Sequence, residues 1–220
     1  MHWFNFVHHK WLDFLFPPRV DEQVLRDTSP DAFLKLVFPK LASLTRPDTV
    51  VLLPFHEPLV RSAIHEAKYR GSERAFTLLA LALTEYLRDF DDENYGHRKS
   101  VIIVPVPLGK ERRKERGFNQ VEEVARRTAK ELGMTIDTIL LARVRETTSQ
   151  VSLAREKREE NMRGAFTASL KLRSASKTEL SKYTFIIVDD VTTTGATLQA
   201  AIDALKEAGA KHIVPLALAH

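Results

Sequence analysis

Residues 185–197 read Phe-Ile-Ile-Val-Asp-Asp-Val-Thr-Thr-Thr-Gly-Ala-Thr, and their types suit the holding of a phosphorylated sugar. Asp189 and Asp190 supply carboxylates for sugar hydroxyls or a cation. Val191, Thr192, Thr193, Thr194, Gly195, Ala196 and Thr197 supply backbone N–H groups and four hydroxyls for phosphate oxygens. Gly195 lets the backbone come close to a ligand. Side chains alternate along an extended strand, so Asp189 and Asp190 should point to different sides and make a poor proton-sharing pair. An ordinary polar strand end is the plain alternative for the acids alone, but it does not explain the full string.

A second group of charges lies upstream. After the apolar run Val101–Val104, the chain passes Pro105 and Pro107 into Lys110, Arg112, Arg113, Lys114 and Arg116. A cation-rich turn there would meet the charge of a pyrophosphate. Lys110, Arg112 and Arg116 are the contacts expected, with Arg116 preferred because a guanidinium grips phosphate oxygens as a fork. Asn119 and Gln120 either cap the next helix or join the site. A polar stretch from Arg143 to Leu153 then leads into a charged segment, with Gln150, Arg155 and Arg158 as candidates to reach the ligand. Both basic clusters can also be read as contacts to a nucleic-acid backbone.

The elements that would position these residues follow from periodicity. Four apolar residues before Asp189 suit a strand buried on both faces. Leu198, Ala201, Ile202, Leu205 and Ala208 recur at helical spacing, so a helix starting near Ala196 would aim its N–H groups at the turn. Val121, Val124, Ala125, Thr128, Ala129 and Leu132 mark another helix, ended by Gly133. Strands are expected at Thr49–Phe55, Val101–Val104, Thr138–Val144 and His212–Leu218. Helices are expected over Asp31–Leu44 (interrupted at Pro39), after Pro58, over Glu73–Phe90 and in the charged stretch Arg145–Arg163. Such alternation predicts a parallel sheet covered by helices, with ligands beyond the carboxyl ends of its strands.

The 220-residue length, +4 net charge and 28% charged residues fit a folded α/β chain of ordinary composition. With no cysteine, disulfides, a thiolate nucleophile and cysteine-ligated zinc are excluded. His2, His8 and His9 read as solvated rather than as metal ligands. The apolar stretch Phe76–Leu87 is broken by Thr77, Thr84 and Glu85 and reads as a buried helix. Without a membrane span, and with an aromatic start (Trp3, Phe4, Trp11, Phe14, Phe16) unlike a secretion signal, a cytoplasmic location is expected.

The string Phe185–Thr197 resembles the signature of the type I phosphoribosyltransferases, with Thr192 where many members carry an aliphatic residue. Three further blocks extend the likeness. They are Pro58-Leu59-Val60 through His65-Glu66-Ala67-Lys68-Tyr69-Arg70-Gly71, Val104–Pro107 with Arg116-Gly117-Phe118-Asn119-Gln120, and Thr148-Ser149-Gln150 through Arg163-Gly164-Ala165-Phe166. Together the four blocks resemble the ComF competence family over roughly residues 55 to 218. Members of that family begin with a cysteine-rich zinc ribbon after Phe-Pro-Pro-Arg-Cys; here Phe16-Pro17-Pro18-Arg19 is followed by Val20.

The resemblance implies an α/β type I phosphoribosyltransferase fold, a parallel twisted sheet flanked by helices, with a small hood. Residues 1–55 would form a helical region replacing the ribbon, and 56–220 the phosphoribosyltransferase-like domain. His56, His65, Lys68 and Tyr69 either line the hood or simply pack the helix after Pro58. It implies binding of phosphoribosyl pyrophosphate with Mg2+, Asp189 and Asp190 holding the ribose, the threonine turn holding the 5′-phosphate and a loop around Gln150 closing over the ligand. If catalytic, the protein would transfer ribose 5-phosphate to a nitrogen acceptor. The alternative is a non-catalytic DNA-uptake accessory that contacts single-stranded DNA and a helicase partner; nucleotide sensing is a third. A homodimer is left open.

Overall fold

The apolar runs at Thr49–Leu53 (β2), Val101–Pro105 (β3), Thr184–Val191 (β7) and His212–Ala219 (β8) form strands of one sheet in the computed structural model of the chain. Short edges at Lys40–Ala42 (β1) and Thr135–Ile136 (β4) complete it. The structure describes residues 19–42, 45, 47–88, 101–145, 162–168 and 180–220. The strand order is β1-β2-β8-β7-β3-β4, and only β1 runs antiparallel to its neighbour. Leu141–Arg143 (β5) and Phe166–Ala168 (β6) pair antiparallel in a separate small sheet. The described helices are Val20–Asp27 (α1), Pro30–Leu34 (α2), Pro58–Arg70 (α3), Glu73–Arg88 (α4), Lys110–Arg116 (α5), Gln120–Leu132 (α6) and Ala196–Glu207 (α7).

The alternation of β7 sets the layers. Ile186 and Val188 join a core with Val60 of α3, Leu79 and Leu83 of α4 and Val124 of α6. Phe185 and Ile187 face the other way, into a core with Leu198 and Leu205 of α7, Leu141 of β5 and Phe166 of β6. Apolar residues on both faces are what a central parallel strand requires. Phe185 is fully buried, and truncation of such a side chain to alanine costs about 3–5 kcal/mol. This packing fixes the height at which the strand delivers Asp189 and Asp190.

Helix α6 begins beside the carboxyl end of β3. Its N-cap, Asn119, accepts the Val121 N–H at 3.1 Å and donates from Nδ2 to the Val106 carbonyl at 3.0 Å. Val121, Val124, Ala125, Thr128 and Ala129 are buried along one stripe, and α6 packs on α4, where Thr84 meets Thr128 at 3.2 Å. The first turn of α6 is thereby held beside the end of β3.

Several expectations are corrected. The helix expected over Asp31–Leu44 stops at Leu34; Pro39 cannot continue it, and the Phe38 N–H instead reaches the Leu52 carbonyl at 2.9 Å and leads into β1. The strand expected over Thr138–Val144 shortens to Leu141–Arg143, because the Asp137 carboxylate accepts the N–H groups of Ile139 and Leu140 and turns the chain first. The basic turn at 110–116 is a helix, α5, capped by Gly117 at φ +80°. The sheet also reaches ahead of residue 56: β1 and β2 belong to it, so Lys40–Ala42 and Thr49–Leu53 build the main sheet rather than a separate helical region. The charged stretch expected to be helical over Arg145–Arg163 lies almost wholly outside the described residues.

Candidate functional site

The carboxyl ends of β3 and β7 open onto a cleft of about 520 Å³. Of the residues singled out from the sequence, Asp189, Asp190, Val191, Thr193, Thr197, Arg112 and Arg116 line it. Thr192, Thr194, Gly195 and Ala196 are buried and build the turn from behind. Lys110 is exposed on α5 and does not line the cleft. Gln150, Arg155 and Arg158, and the histidines and aromatics before Arg19, lie outside the described residues.

The turn is shaped by bonds that consume some of its donors and leave others. The Thr192 N–H is used by the Ala219 carbonyl of β8 at 3.0 Å, which ties the turn to the neighbouring strand. The Thr194 hydroxyl accepts the Ala196 N–H at 3.4 Å, and Gly195 sits at φ +82°, a conformation that costs any other residue steric strain. Among the described residues the N–H groups of Gly195 and Thr197 have no hydrogen-bond partner. They open α7, so its positive end and free donors point at the turn. A phosphate group fits there.

The two acids diverge, as strand alternation requires. Asp190 turns to the α3 and α6 side, where its Oδ2 accepts from Gln120 Nε2 at 2.6 Å and lies 3.4 Å from Lys68 Nζ. Its Oδ1 accepts the Val191 N–H at 2.7 Å. Asp189 uses Oδ1 for the Asp190 N–H at 2.9 Å, and it makes no ion pair among the described residues. Burial first, and then the charge of Asp190, push the Asp189 carboxyl up to about 7; the Asp190 N–H, Lys68 and Arg143 pull the other way. Asp189 is therefore a carboxylate in want of a cation, which is the condition a divalent metal relieves.

The opposite wall is made of long side chains. Arg116 lies with its guanidinium carbon 5.2 Å from the centre of the Tyr69 ring and donates from Nη1 to Gln120 Oε1 at 3.2 Å. Arg112 lines the cleft from one helical turn earlier. Arg113 is committed elsewhere, 2.9 Å from Glu122; although burial opposes it, hydrogen bonds from Arg113 and Arg126 hold the Glu122 carboxyl below its ordinary range.

One contributor escaped the sequence reading, and three others, left there with two roles each, fall on the cleft side. Arg143 of β5 lines the cleft and lies over the Phe166 ring at 5.6 Å. Gln120 is no helix cap but a ligand of Asp190, while Asn119 alone does the capping. Lys68 and Tyr69 belong to the cleft wall rather than merely packing α3. The only signal for Lys68 and Gln120 was their place in the quoted blocks, since each reaches Asp190 from a distant part of the chain, Gln120 across 70 positions. His65 instead groups with Asp21 and Glu66, three donors within 4.8 Å. Arg19 already lies 3.2 Å from Glu66 and Ser62 donates to Asp21 at 2.7 Å, so the group fastens α1 onto α3.

The chain is similar to several known proteins. Residues 121–219 match the phosphoribosyl transferase domain. The DNA utilization protein YhgH of Salmonella typhimurium is 33% identical over 144 residues, which cover 65% of this chain and 59% of that protein. Competence protein F of Haemophilus influenzae is 32% identical over 111 residues, 50% of this chain and 46% of its own. The chain thus spans about three fifths or less of the length of these two relatives. An adenine phosphoribosyltransferase from Leishmania tarentolae superposes with a TM-score of 0.43 at 15% identity, covering 81% of this chain and 79% of that one. Among the described residues no helix is long and apolar enough to cross a membrane.

Proposed function

The chain is a phosphoribosyltransferase-like protein of the ComF family, and from that premise we propose that its cleft binds phosphoribosyl pyrophosphate with magnesium. The observation that carries this reading is the meeting, in one cleft, of the half-buried Asp189 carboxylate at the end of β7 with the donor-rich turn that opens α7. The amides of Gly195 and Thr197 and the hydroxyls of Thr193 and Thr197 take the 5′-phosphate. Asp189 takes a ribose hydroxyl, and Arg112 and Arg116 take the pyrophosphate.

Magnesium fits beside Asp189, whose second oxygen has no partner among the described residues, and it would supply neutralisation of the departing pyrophosphate. In the transfer itself, the C1–O bond of the ribose breaks with its electron pair going to pyrophosphate. The lone pair of a nitrogen acceptor forms the new C1–N bond, and the acceptor proton passes to solvent. Arg112 and Arg116 stabilise the charge that develops on the leaving group, and the turn keeps the ribose phosphate in place.

Titration calorimetry with phosphoribosyl pyrophosphate and Mg2+ tests the reading. Saturable heat is expected from the parent, and none from the Asp189→Asn/Asp190→Asn double variant at unchanged circular dichroism. A parent protein that gives no heat overturns the proposal.

A second reading rests on α5, which buries none of its residues and exposes Lys110, Arg113 and Lys114 at the rim. Two relatives carry names that speak of DNA utilization and competence. In this reading the protein contacts single-stranded DNA beside a helicase partner, and the cleft senses a nucleotide. Binding of a single-stranded oligonucleotide should then weaken steeply with salt, and Lys110→Glu/Lys114→Glu should flatten that slope. Absence of binding at low salt removes this reading.

A further inference from the structure

The proposed function gives Asp189 a task and leaves its neighbour without one. Every oxygen of Asp190 is already engaged: Oδ1 by the Val191 N–H, Oδ2 by Gln120 Nε2 at 2.6 Å and by Lys68 Nζ at 3.4 Å. These partners come from β7, from the first residue of α6 and from the last turn of α3. Asp190 is 8% exposed and the Lys68 side chain 27%, so little water stands between the charges to screen them.

Gln120 is itself held. Its Oε1 accepts from Arg116, and the Arg116 guanidinium rests over the ring of Tyr69, the residue next to Lys68. The contacts therefore close a circuit from α3 through Asp190, Gln120 and Arg116 back to α3. The amide of Gln120 can be oriented in one way only: its oxygen must face the arginine and its nitrogen the carboxylate. A carboxylate bound in this way has three of its four acceptor positions taken, including both on Oδ2, and already has a cation beside it, which leaves it a poor ligand for a metal ion.

We propose that Lys68 is a built-in counter-cation and Gln120 its positioning partner, and that together they withhold Asp190 from ligand and metal, so that the double-acid turn presents Asp189 alone and takes one divalent ion. The identity of the sugar ligand rests on the function proposed above, but the number of ions does not. Lys68 supplies at Asp190 the charge that a second ion would otherwise bring. Arg116 also gains a second duty, since its grip on Gln120 links occupancy of the cation-rich wall to the acid turn.

The test is a titration with Mn2+ alone, followed by electron paramagnetic resonance, with no sugar phosphate present. In the parent protein Asp190→Asn should leave Mn2+ affinity within twofold, whereas Asp189→Asn should abolish it. Lys68→Met should add a site at least tenfold tighter than anything the parent shows outside Asp189. Lys68→Arg should add none, and Asp190→Asn placed on Lys68→Met should remove the added site. If Lys68→Met folds poorly, Lys68→Gln serves, and the two parent-background variants stand independently of it. A Lys68 variant that gains no site, or a parent whose Mn2+ binding falls with Asp190→Asn, overturns the inference. Failure of phosphoribosyl pyrophosphate to bind the parent overturns the proposed function and leaves this titration readable.

Discussion

At the β7 end of the cleft the backbone would hold the ligand: the amides of Gly195 and Thr197 are aimed by the start of α7, and β7 is clamped between two cores. At the α5 end the holding falls to Arg112 and Arg116, side chains reaching in from a seven-residue helix that buries nothing. The first end has paid its ordering entropy in folding, and the second must immobilise long rotamers when a ligand arrives. The first is consequently rigid and sensitive to backbone conformation. The second tolerates change, and its losses should be graded rather than complete.

The comparison can be broken at its rigid end first. Gly195→Ala forces a side chain into left-handed backbone, costing about 1–2 kcal/mol of stability. It also misaligns charged-phosphate hydrogen bonds worth about 1.5–3 kcal/mol each, so affinity for phosphoribosyl pyrophosphate should fall about a hundredfold by calorimetry. A loss no greater than that of an arginine variant would erase the distinction between the two ends.

Next in size is the pH response of Asp189. Its folded value near 7 exceeds the ordinary 3.8, so between these values the native state keeps a proton that the unfolded state has released. Stability therefore falls as pH rises through that window, and the penalty is fully present above about pH 7. Asp189→Asn should be more stable than the parent above pH 7, by something on the order of 2 kcal/mol given its residual solvent contact, and equal to it below pH 4. Urea unfolding at pH 4 and pH 8 measures this. A variant with the parent's pH profile would remove Asp189 as the uncompensated charge.

Gln120→Leu takes one hydrogen bond from a buried carboxylate and should cost about 1–2 kcal/mol in the same unfolding assay. The smallest effect belongs to the wall of side chains. Arg116→Lys keeps the charge and loses the fork, so affinity should fall about tenfold while stability stays within about 0.5 kcal/mol. If Arg116→Lys destabilised the fold as much as Gly195→Ala, the cation wall would be as rigid as the turn.

How much of this was legible in the sequence follows the same division. The acid pair, the turn and the start of α7 are contiguous, so strand period, glycine conformation and helix period point to one place. The strands β3 and β8 and helices α4 and α6 were legible for a similar reason, each carrying a full face of buried residues. Lys68 and Gln120 were legible as candidates, but their meeting with Asp190 was not, because nothing local to either residue announces it; Gln120 stands 70 positions from Asp190. Arg143 needed the small sheet of β5 and β6, whose pairing partner lies beyond a long charged stretch. At the other extreme, the helix expected over Asp31–Leu44 failed on tertiary grounds, since the Phe38 N–H found a sheet edge that the apolar pattern could not reveal.

The bond from Thr192 to the Ala219 carbonyl has a consequence in time. β8 follows the other described strands of the sheet in the chain, yet it lies between β2 and β7 in the middle of the sheet. Beyond it, the His220 N–H reaches the Leu53 carbonyl and the Phe55 N–H the His220 carbonyl. Before β8 is in place, β2 can pair only with β1, and the threonine turn lacks the acceptor that sets its first residue. The half-sheet carrying β3 and β7 can form early, but the two halves join only when β8 slides between them. The phosphate turn therefore acquires its shape only with β8 in place, and a sheet without that strand would carry the acid pair without the cradle beside it.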